Sequence, residues 1–146
     1  KIMKYLLLNP LKPEDLPTLK ELSTTEICTV WASASRYIQR QLLEKRAVDI
    51  QVGRFVLIPA FATVGEGKVL LVHRPVFQPC RFLKKLYKLK CDKTKIPDNT
   101  EFVPLDYGQI AADIRFCQET VERCIDETLL FFADALRGNK EVEFSF

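Results

Sequence analysis

Residues 73–90 read HRPVFQPCRFLKKLYKLK. The stretch opens like the end of a strand, meets Pro75 and Pro79, and becomes a basic, helix-patterned segment. Proline has no backbone N–H, but it sits without penalty just before a helix or in its first turn. The two prolines are therefore expected to mark where the last strand leaves its sheet and a helix over about 80–89 begins. Phe77 would anchor the crossover in the core. In that helix Phe82, Leu83, Leu86, Tyr87 and Leu89 form the apolar side, and Arg81, Lys84, Lys85, Lys88, Lys90, Lys93 and Lys95 make a basic cluster.

The segment before this stretch reads as strands. Residues 47–52 alternate Val48, Ile50 and Val52 with Asp49 and Gln51, the period-two pattern of a half-buried strand. Gly53 permits a bend or bulge. Residues 55–58 and 68–73 read as two further strands. The hairpin between Ile58 and Val69 is read as short, with Gly65 and Gly67 at its tip and Pro59 near its base. Upstream, Ser23-Thr24-Thr25-Glu26 forms a capping box that opens a long helix over 24–46. Its stripe is Ile27, Val30, Trp31, Ala34, Ile38 and Leu42, spaced by three and four. A shorter helix over 14–22 precedes it.

The order is repeated. A shift of 94 residues lays Pro10-Leu11 on Pro104-Leu105 and Leu16 on Ile110. It lays Ile27, Val30, Trp31, Ile38 and Leu42 on Val121, Cys124, Ile125, Phe132 and Leu136, and Val48-Asp49-Ile50 on Val142-Glu143-Phe144. Little identity survives, but the pattern of apolar positions does. The reading is a first unit over 10–90, a linker over 91–103 and the opening helix–helix–strand part of a second unit over 104–146. The helices of the second copy fall over 106–113 and 116–137. The sequence is thus expected to be a piece of a longer protein. The two long helices are expected to pack as a pseudo-dimer through Trp31, Ile38, Leu42, Ile125, Phe132 and Leu136. A homodimer using the same faces is the alternative.

Charge divides the same way. The net charge is +3, yet residues 1–95 hold 18 Lys/Arg against 8 Asp/Glu, while residues 96–146 hold 4 against 11. Two surfaces of opposite sign can attract one another. Asp113, Glu119, Glu122 and Asp126 read as a solvated acidic face. No apolar run approaches the roughly 20 residues that span a bilayer. Cys28, Cys80, Cys91, Cys117 and Cys124 form no CxxC pair, and His73 is the single histidine. Reduced structural cysteines are expected, with no metal, no cofactor and no catalytic residue.

The element order, with Gly53-Arg54-Phe55 early in the strands and Pro75-Val76-Phe77-Gln78-Pro79 before a lysine-rich helix, resembles the bacterial HU/IHF fold. That family carries Gly-x-Phe and Pro-x-Phe-x-Pro at these places. A closer resemblance is to the eukaryotic tandem HU domains of coiled-coil domain-containing protein 81. It is carried by Arg74–Phe77, Val103-Pro104-Leu105, Glu127-Thr128-Leu129-Leu130-Phe131 and Val142-Glu143-Phe144, and it covers the chain after about residue 10. The resemblance implies an α+β fold of HU-like units: two helices, a three-stranded antiparallel sheet with a short hairpin arm, and a C-terminal helix. It also implies a non-enzymatic protein-interaction or scaffold module in the cytoplasm, at the centrosome or cytoskeleton, with protein partners and no membrane. Bacterial members grip DNA with long arms tipped by an intercalating proline. Here the tip, Val64-Gly65-Glu66-Gly67, is acidic and lacks proline.

The basic cluster keeps a nucleic-acid reading open. Arg74, Arg81, Lys84, Lys85 and Lys88 would contact phosphates or an acidic partner. The alternatives are the solvated face of an amphipathic helix, or a face docked on the acidic second copy.

Overall fold

The computed structural model describes residues 12–81, 96 and 99–137, the side chains of 13, 136 and 137 excepted. After a 3-10 turn at Pro13–Asp15 come helices α1 (Pro17–Glu21) and α2 (Thr24–Leu43), then strands β1 (Arg46–Ile50), β2 (Gly53–Val64) and β3 (Lys68–Pro79). Strand β4 (Glu101–Pro104) and helices α3 (Tyr107–Ile114) and α4 (Gln118–Arg137) follow. The described strands form one mixed sheet in the order β3-β2-β1-β4.

The capping box is in place. Ser23 Oγ accepts from Glu26 N at 3.1 Å, and Ser23 N donates to the Glu26 carboxylate at 3.0 Å. The helix stops at Leu43, short of the expected residue 46, because Lys45 turns to φ 61° and Arg46 already pairs in β1. In the second copy Asp106 caps α3 by accepting from Gln109 N at 3.1 Å. Arg115, left-handed at φ 57°, ends it, so α4 begins at Gln118 rather than 116.

The hairpin is longer than the sequence reading made it. Both β2 and β3 have twelve residues, paired from Gly53↔Pro79 to Val64↔Lys68. The prolines explain the difference. Cys80 N donates to Val52 O at 2.9 Å. That sets the phase of the ladder: even-numbered residues of β3 bond to β2, and odd ones aim their N–H and C=O outward. Pro75 and Pro79 therefore fall at outward positions of an edge strand, where a missing N–H breaks no ladder bond. Pro75 therefore does not end the strand as expected; the strand runs on and ends at Pro79. Pro59 of β2 likewise faces the side of β1, just beyond the point where β1 begins. Only Gly65, Glu66 and Gly67 turn the chain, all at positive φ.

The two halves of the Gly-x-Phe and Pro-x-Phe-x-Pro pattern meet across this ladder, Gly53 opposite Pro79 and Phe55 opposite Phe77. The Phe55 and Phe77 rings lie 5.0 Å apart. Phe77 covers Gly53 so closely that a Cβ there would stand 2.7 Å from the ring and 2.3 Å from Gln78 O. This site needs glycine for space.

A second correction concerns the sheet edge. Residues 101–103, read as the end of a linker, lie in β4, which pairs in parallel with β1 from Arg46↔Glu101 to Asp49↔Pro104. The start of the second unit thus supplies a fourth strand to the sheet of the first. One core lies on the helical side. It joins Val30, Ala34, Ile38 and Leu42 of α2 with Val48, Phe55, Ile110 and, from α4, Val121, Cys124, Ile125 and Leu129. On the other side Ala47, Val56 and Ile58 pack with Val76 and Ile96.

Candidate functional site

The two long helices meet in the contact between the units, beside the β1–β4 pairing and the packing of each short helix on the other copy's long one. Ile38, Leu42 and Ile125 are buried in the shared core, and Trp31 and Phe132 pack partly buried against it. The Leu136 side chain lies outside the described residues. Trp31 is less enclosed than its place in the stripe suggests. Its Nε1 is shielded from solvent and finds no acceptor among the described residues. Tyr37 and Ser33, which the apolar stripe omitted, are buried instead.

Polar contacts across the same boundary follow the repeat. Ser33 Oγ lies 3.1 Å from Ile110 O and 2.9 Å from an Asp113 carboxylate oxygen, on the short helix of the second copy. The residue that overlays Ser33 is Glu127. Its carboxylate accepts from Thr18 N at 2.9 Å and Leu19 N at 3.2 Å, on the short helix of the first copy. So one position on each long helix reaches the short helix of the other copy, which is the reciprocity of a two-fold interface. Glu127 also fills a need. The residue before α1 is Leu16, which has no capping side chain, so the free N–H groups of that helix end take a carboxylate from elsewhere. Sequence reasoning missed Glu127, although it follows the stripe member Cys124 by three residues.

Two of the four acidic residues read as a solvated face are engaged with the first copy. Arg36 pairs with Asp113 at 2.7 Å. That hydrogen bond, followed by the one from Ser33, holds the Asp113 carboxyl below the ordinary carboxylate range. Asp126 bonds to Gln51 and lies 3.5 Å from the Tyr107 hydroxyl. Burial first, then the Asp126 charge, push Tyr107 up to about 12, so the phenol stays protonated and donates. Glu119 pairs within its own helix with Arg123 at 2.5 Å, and Glu122 is exposed. Tyr37 donates its hydroxyl to Pro104 O at 2.9 Å and so ties α2 to the end of β4. Arg46 reaches Glu101 at 3.4 Å, and Arg54 lies over the Phe102 ring at 4.9 Å.

Of the basic candidates, only Arg74 and Arg81 fall within the described residues. Arg74 is exposed on β3, and Arg81, the last residue described before 96, is exposed. Lys84, Lys85 and Lys88 lie outside the described residues, as do nearly all of the helix expected over 80–89 and the strand expected at 142–144. No described helix is long and apolar enough to cross a membrane. Among the described residues no group of His, Cys, Asp and Glu is placed to hold a metal ion.

A helix pair over a sheet with a projecting two-stranded arm, met by the helix pair of a second copy, defines a tandem of HU-like units. Residues 7–91 match the family model CCDC81 eukaryotic HU domain 1, and residues 101–146 match CCDC81 eukaryotic HU domain 2. The chain belongs to this family of eukaryotic HU domains.

Proposed function

We propose that the chain is a non-enzymatic protein-interaction module in which the two HU-like units pair as an intramolecular pseudo-dimer. The arm carries the reading. Between Pro59 and Val72 its only charged residues are Glu66 and Lys68. Its exposed side chains include Phe61, Val64, Val69, Leu70 and Leu71, with Phe61 79% exposed. Affinity for a phosphate backbone comes from several cations in reach of the strand, and a minor-groove wedge needs an apolar tip. This arm has one cation and a Gly-Glu-Gly tip. It is suited to protein rather than to DNA. The reciprocal contacts of Ser33 and Glu127 support the pseudo-dimer. A place in a cytoplasmic scaffold at the centrosome or cytoskeleton follows from the family resemblance alone.

The second reading, an architectural nucleic-acid-binding domain, rests on exposed Arg74 and Arg81 and on Lys84, Lys85 and Lys88 beyond them. Titration of the chain with duplex DNA across a salt series separates the two. Absence of binding at low salt is expected. Salt-sensitive binding that Lys84/Lys85/Lys88→Glu abolishes would replace the interaction reading with the nucleic-acid one.

A further inference from the structure

The outer edge of β3 is open among the described residues, since β3 ends the sheet order. The phase of the ladder puts the N–H and C=O groups of Val69, Leu71 and His73 on that edge, while Pro75 and Pro79 remove the donors further along. A window over 68–74 is left, bounded at one end by the turn and at the other by proline. Within it the side chains of Val69, Leu70 and Leu71 are more than half exposed. An edge of this kind is a template for another strand.

We propose that the occupant is the same edge of a second copy, paired antiparallel about a two-fold axis at Leu70. Val69 of each copy then exchanges backbone hydrogen bonds with Leu71 of the other, and the two Leu70 side chains face one another. His73 reaches the end of the partner's turn at Gly67, and Pro75 falls outside the paired window, so no donor is lost to proline. Charge selects this register. It brings the turn residue Glu66 of one copy toward Arg74 of the other, just beyond each end of the paired strands. A register shifted by one residue on each copy, centred on Leu71, sets Lys68 against Arg74, cation on cation. The pairing is isologous and stops at two copies. It is a different surface from the long-helix contact. It rests on the reading of the arm as a protein-binding element and gives that element a partner.

Sedimentation velocity of the 146-residue chain over a concentration series is the test, with circular dichroism to show that each variant is folded. The expected result is a reversible monomer–dimer equilibrium. Leu71→Pro deletes an outward N–H and leaves the ladder to β2 intact, so it should weaken the dimer by about tenfold or more. Glu66→Arg, at the solvent-exposed tip, should also weaken it, and adding Arg74→Glu should restore most of the loss. A monomer at every concentration overturns the proposal. So does a dimer indifferent to Leu71→Pro and to the charge reversal, or growth into open-ended assemblies. The DNA titration keeps the two readings apart. A monomer that binds no DNA defeats only the self-pairing, whereas a monomer that binds DNA through its lysines defeats the protein-binding reading as well.

Discussion

Replacing Glu127 tests the contact between the units at its most enclosed polar point. Glu127 is 8% exposed, and its carboxylate holds the Thr18 and Leu19 amides of a helix that has no cap of its own. Glu127→Ala leaves two backbone donors without a charged acceptor. Each such bond contributes about 1.5–3 kcal/mol net. Removing a buried charge returns part of this, because its desolvation is relieved. The expected loss is about 2–4 kcal/mol, a large share of the roughly 5–15 kcal/mol that stabilises a domain. Glu127→Gln keeps the reach and one acceptor oxygen, so about 1–2 kcal/mol is expected. Urea unfolding should show a lower midpoint at unchanged slope. Native-state hydrogen exchange should show faster exchange at Thr18 and Leu19. The Glu26 amide, capped locally by Ser23, should keep its rate. Both variants within about 0.5 kcal/mol of the parent chain, the size of an ordinary surface substitution, would refute the claim that this carboxylate holds the first helix to the second unit.

Gly53→Ala should cost about 2–4 kcal/mol in thermal or denaturant unfolding, because the new methyl meets Gln78 O and the Phe77 ring rather than a yielding chain end. Asp113 has a lowered pKa in the folded chain. Its contribution is therefore full above the ordinary carboxylate range and is lost as pH falls through the lower folded value. Arg36→Ala should raise the Asp113 pKa, followed by NMR titration, and should flatten that part of the acid limb. Burial pushes the Cys124 thiol up to about 11. At neutral pH iodoacetamide should label the exposed Cys28 and Cys117 while Cys124 reacts only on unfolding, as read by mass spectrometry.

The helices were legible because their signals are local. The box at Ser23 and Glu26 lies within four residues, and a stripe such as Val30, Ala34, Ile38 and Leu42 repeats at the period of the helix. The 94-residue shift made the second copy visible through the same periodicity. The arm was misjudged because proline is ordinarily a mark of interruption. Whether Pro59, Pro75 and Pro79 interrupt anything depends on which way each N–H would have pointed, and that phase is set by pairing between strands. The end of the supposed linker was misread for a related reason, since β4 is only four residues long and its partner β1 lies more than fifty residues earlier. Asp113 and Asp126 looked like solvent-facing acids on amphipathic helices, and Glu127 drew no reading at all. Their partners Arg36, Gln51 and Thr18 come from the other copy, and no pattern within one helix encodes them.

The grip of Glu127 on Thr18 also bears on the order in which the chain is made. The two residues are 109 positions apart. At about 5–20 residues per second, a ribosome needs roughly 5–20 s to pass from one to the other. During that interval α1 has emerged without its cap, and β1 without β4 beside it. The first unit therefore waits, its half of the shared core uncovered, until the second arrives. In a nascent chain, the last described helix completes the first.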